Sequence, residues 1–75
     1  MNEATLLEYG KAELPAFRAD MAAVPIISKV SVHSVAAGLR DVLRAADARR
    51  NAAGLTRSQA ERACVLAAKA ERSAR

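Results

Sequence analysis

The sequence predicts a mainly α-helical fold: an N-terminal helical segment, one short strand, then two helices joined by a glycine turn. Three observations carry this expectation. Apolar residues recur at helical spacing through most of the chain. A strict polar–apolar alternation interrupts that spacing from Lys29 to His33. Gly54 followed by Thr56 then supplies a helix stop and a helix start. The alternative is an all-α three-helix arrangement in which residues 25–33 form a proline-started linker.

In order along the chain, Asn2 is placed to cap a first helix through about Glu13, with Glu3 favourably set against the N-terminal dipole. Pro15 removes a backbone donor and disfavours helical geometry at Leu14, so a break or kink is expected there. Leu14, Phe17, Met21 and Val24 repeat at helical spacing, which predicts a second helical piece from about Pro15 to Ala23, closed by Pro25. Residues 28–33 carry the period-two signature of a half-buried strand, Val30 and Val32 on one face and Lys29, Ser31 and His33 on the other. An isolated strand cannot satisfy its own backbone, and no second strand candidate exists in the chain. Its expected partner is the same segment of another copy, in an intermolecular ribbon.

Ser34 is a suitable N-cap for a long helix to Ala53, with an apolar stripe of Val35, Leu39, Val42, Leu43 and Ala46. Gly54 ends it, and Thr56 caps a last helix to about Ser73. At about 100° per residue, Leu55, Ala60, Ala63, Leu66, Ala67, Ala70 and Ala74 share one side of that helix. Alanine there permits close approach of a neighbouring helix. Val65 falls in the polar arc.

Size and composition bound the function. Seventy-five residues make a single small domain, residues 1–24 an extension to a 26–73 strand–helix–helix unit. Nineteen of the hydrophobic residues are alanine, so the core is thin. At about 25 cal/mol per Å² of buried apolar surface, such a core barely offsets chain entropy, and a homo-oligomer, first of all a dimer, is expected. No apolar run reaches the roughly 20 residues of a membrane span. The opening MNEATLLEYG is acidic and broken by Glu8, unlike a secretory signal, so a cytoplasmic protein is expected. One cysteine, Cys64, and one histidine, His33, supply neither a disulfide nor a metal site. His33 has no carboxylate or nucleophile at a catalytic spacing, and Cys64 reads as an inert helical residue. The expectation is a cofactor-free protein that is not an enzyme.

Charge is uneven. The net +4 comes from the second half: residues 38–75 carry nine cations, eight of them Arg, against four acids, while residues 1–37 are slightly acidic. A basic, Arg-rich half is the footprint of a nucleic-acid binder, because guanidinium groups fork onto phosphate. Arg49 and Arg50, at the end of the second long helix, serve either its C-terminal dipole or a phosphate contact.

The order strand, helix, glycine turn, helix, and the stretch from Gly54 to Ala63 in particular, resembles the ribbon-helix-helix family of DNA-binding proteins. The resemblance spans residues 26–73. It implies a homodimer whose paired strands lie in the major groove of double-stranded DNA, with Lys29, Ser31 and His33 reading base edges. It also implies phosphate contacts around Thr56, Arg57 and Ser58 at a helix N-terminus; the phosphate contact open to Arg49 and Arg50 is read from their position and not from the resemblance.

Two functions follow. One is a small homodimeric DNA-binding regulator of the transcriptional repressor type. The other is an all-helical inhibitor or adaptor, of the phage or plasmid kind, that binds a larger protein and no nucleic acid. Its interface would be Leu14, Phe17, Met21 and Val24, whereas Val30 and Val32 belong to the protein interface of the paired ribbon in the first reading.

Overall fold

A computed structural model describes residues 2–24 and 32–74. It contains three helices, α1 (Glu3–Ala22), α2 (Val32–Ala52) and α3 (Arg57–Ser73). No strand occurs among the described residues, whose three helices fit the all-α alternative.

Helix α1 begins where the sequence places it: the Thr5 amide donates to Asn2 Oδ1 at 2.9 Å. It does not end at Pro15. One helix runs through the proline to Ala22. Pro15 is exposed, and the carbonyl it leaves without a donor belongs to Lys11, also exposed, where water can satisfy it. Packing then holds both halves in line, because Arg49 bonds to Glu13 before the proline and to Asp20 after it.

The end of the predicted strand is also corrected. Val32 and His33 are already helical, and Ser34 lies inside the first turn of α2 instead of capping it. From Val32 onward the side chains Val32, Ala36, Leu39 and Leu43 follow helical spacing, and at Val32 and His33 that longer periodicity prevails over the alternation. Val32, expected to face a core, is 82% exposed, and His33 is exposed beside it. Lys29, Val30 and Ser31 lie outside the described residues.

The turn between α2 and α3 agrees with the sequence in detail. Gly54 takes φ 73°, the left-handed conformation. Its amide donates to the Asn51 carbonyl at 3.0 Å and the Leu55 amide to the Arg50 carbonyl at 3.1 Å. These two bonds are the pair that closes a helix on a left-handed glycine. Thr56 and Gln59 form a reciprocal capping box at the start of α3, with bonds of 2.9 and 3.2 Å.

Helix α1 is the centre of the fold. Along one side α3 runs parallel to it, with Glu3 paired to Arg62 near the start and Arg18 to Glu71 near the end. Between those pairs the backbones meet: a Cβ on Gly10 would stand 2.1 Å from the Ala63 carbonyl oxygen. Only glycine fits there, opposite the buried alanines 63 and 67. Leu6, Leu55 and Ala63 form the main core, with Tyr9 and Leu66 against them. Helix α2 runs antiparallel along the other end of α1, where Val24 packs on Gly38.

The result is flat. The molecule measures 44 × 31 × 15 Å, its short dimension about a third of its long one. Its radius of gyration is 14.1 Å, against about 11 Å for a compact domain of this length.

Candidate docking surface on helix α2

Among the described residues, Glu13 is the one charged residue that is buried. It sits in an apolar register of α1 (Leu6, Gly10, Glu13, Phe17), and a carboxylate there needs a cation. Arg49 supplies it bidentately: Nε donates to Oε2 at 2.6 Å and Nη2 to Oε1 at 2.8 Å. The third donor, Nη1, reaches Asp20 at 3.0 Å. Hydrogen bonding from Glu13, ahead of the opposing cost of burial, raises the Arg49 pKa, so the guanidinium is permanently charged. This clamp locks the register of α2 on α1. It is the feature that the sequence reading missed, and the acid inside the α1 stripe was its signal.

The remaining phosphate-contact candidates spread around the α2–α3 turn. Arg50 donates to the Leu55 carbonyl at 3.0 Å and lies 3.6 Å from Asp47. The Thr56 hydroxyl accepts from Gln59 as a cap. Arg57 is 3.9 Å from Asp47 and points largely into solvent, with Ser58 exposed next to it. Arg49 and Arg50 thus serve the fold's own carboxylates and carbonyls. Of the interface candidates, Leu14, Phe17 and Met21 are half-buried and Val24 is buried.

The stripe expected on α2 divides into two edges. Val42 is buried near Asp20 and Val24, and Val35 is half-buried. Rotated from them by about a quarter turn of the helix, a second row is open: Val32 at 82%, Leu39 at 38% and Leu43 at 58% exposure. Helix α3 packs on α1, so this row has no covering helix among the described residues. Beyond the row lie His33, Arg40 and Asp47. Arg40 and Arg44 are exposed and make no ion pair among the described residues.

On the opposite flank of α2, a cleft of about 270 Å³ is lined by Val24 and Gly38 together with Asp20 and Asp41. Cys64 is a half-buried free thiol whose pKa is raised first by burial and then by the Glu13 charge, the condition of an unreactive cysteine. The described residues hold no group of side chains able to bind a metal ion, and none of their helices is long and apolar enough to cross a membrane.

No family model, curated protein or solved structure matches the chain.

Proposed function

We propose that the chain is a small helical interaction protein, of the inhibitor or adaptor kind, that docks the open face of α2 on another polypeptide and carries out no chemistry of its own. The observation behind this reading is the row Val32, Leu39 and Leu43, aligned on one helix and left in water. Single exposed apolar residues are ordinary, but an aligned row of them on a helix is the form in which helices recognise one another. A photoreactive residue placed at Leu43 should form adducts with polypeptide in the cell, and the same residue at Ala48, on the far side of α2, should not. Equal yields from the two positions would overturn the reading.

A second reading, DNA binding, draws its support from Arg40 and Arg44, which keep their charge unpaired at the surface. It expects duplex binding that weakens steeply with salt and weakens further in Arg40→Ala and Arg44→Ala. Absence of duplex binding at low salt would remove it.

A further inference from the structure

The open row of α2 has an internal symmetry. Val32, Ala36, Leu39, Leu43, Ala46 and Arg50 follow one another at alternating spacings of four and three residues. That is the repeat of a two-stranded helical seam. The inner four, Ala36, Leu39, Leu43 and Ala46, read small, large, large, small from either end, with Val32 and the long stem of Arg50 outside them.

We propose that α2 pairs antiparallel with α2 of a second copy of this chain, about a two-fold axis at Asp41. The inference rests on the docking reading above and names its occupant. With the axis at Asp41, Leu39 stands opposite Leu43 of the second copy and Ala36 opposite Ala46. Val32 then covers the aliphatic stem of Arg50, whose guanidinium is already held by the Leu55 carbonyl.

Charge complementarity supports this partner. Arg40 and Asp47 lie seven residues apart along one flank of the row. In an antiparallel pair of helices that flank meets itself. Side chains lean toward their own N-terminus, so Arg40 and Asp47 of the second copy lean toward each other. The two-fold makes this contact twice. Asp47 is available for it, because its contacts to Arg50 and Arg57 are loose, at 3.6 and 3.9 Å.

The surface area agrees. The chain exposes 5372 Å², where a compact monomer of its mass would expose about 4400 Å². The excess, roughly 1000 Å², is comparable with the about 800 Å² that each partner contributes to a standard stable interface.

Sedimentation equilibrium on the purified full chain tests the pairing. The wild type should be dimeric at micromolar concentration, and Leu43→Asp should be monomeric with unchanged helical circular dichroism. Arg40→Asp and Asp47→Arg each place like charges together twice, and each should dimerise about tenfold more weakly. An equimolar mixture of those two variants should recover dimers, because only the mixed pair is complementary on both sides. A monomeric wild type, a dimeric Leu43→Asp, or no recovery on mixing would overturn the proposal. Should the wild type be monomeric while Leu43 still crosslinks to a different polypeptide, the docking reading stands without self-pairing.

Discussion

At the scale of single residues, Gly10 and Arg49 carry consequences that their neighbours do not. An alanine at position 10 gains helix propensity but drives its methyl into the Ala63 carbonyl. The outcome expected for Gly10→Ala is a net loss of about 2 kcal/mol or more, measured by urea unfolding. Arg49→Met leaves Glu13 buried without its cation. Because Arg49 is itself about one-third exposed, the cost is set below the usual figure for a buried pair, at about 2 kcal/mol. Adding Glu13→Gln should recover much of it, a coupling that a double-mutant cycle reads directly. Cys64 gives a dependence on pH. Its folded pKa lies above the ordinary value of 9.0, so the unfolded chain ionises first. Its stabilising contribution is therefore full below about pH 9 and is lost as pH rises through the folded pKa. Alkaline melts should show that decline, flattened in Cys64→Ala, with Tyr9, also raised by burial, accounting for part of what remains.

At the scale of elements, the α2–α3 connection is the most completely specified part of the chain. Thr56→Ala removes one side of a capping box and should cost about 1 kcal/mol; Gly54→Ala, forced to positive φ, should cost a similar amount. Thermal melts of the two variants check this. Both features were legible in the sequence because a cap and a left-handed glycine are decided by residues within one turn of each other. The Asn2 cap was legible for the same reason, as was the alanine face of α3. Pro15 misled because its local cost is offset by Arg49, 34 positions away in the chain. The start of α2 misled because two short periodicities overlap at Val32 and His33, and at those two residues the helical one prevails. As for the candidate surface, the α2 stripe was visible but not its division, because the angle at which α1 covers it is a tertiary property.

For the whole molecule, flatness is the dominant fact. A layer 15 Å thick keeps both faces of its helices near water and leaves little interior to stabilise the chain. The melting temperature should therefore rise with protein concentration, as mass action requires when only the folded form associates. In Leu43→Asp that concentration dependence should vanish. A wild-type melt independent of concentration would mean that the thin core suffices alone. Surface pairs such as Arg18–Glu71 and Arg62–Glu3 contribute little to this balance, each being largely solvated.

The parallel packing of α1 on α3 has a consequence for synthesis. Helix α1 leaves the ribosome before α2 and α3, yet the helix that covers Leu6 and Gly10 is α3. Its ion pairs join residues separated by 53 and 59 positions, so almost the whole chain must emerge before they form. Until then the apolar side of α1 travels uncovered, and the growing chain is exposed to the aggregation that follows from late-made contacts. A chain stopped just after α2 would still hold the Arg49 clamp but not this cover. Ribosome-stalled chains of increasing length should accordingly gain protease resistance in one late step, once α3 has cleared the exit tunnel.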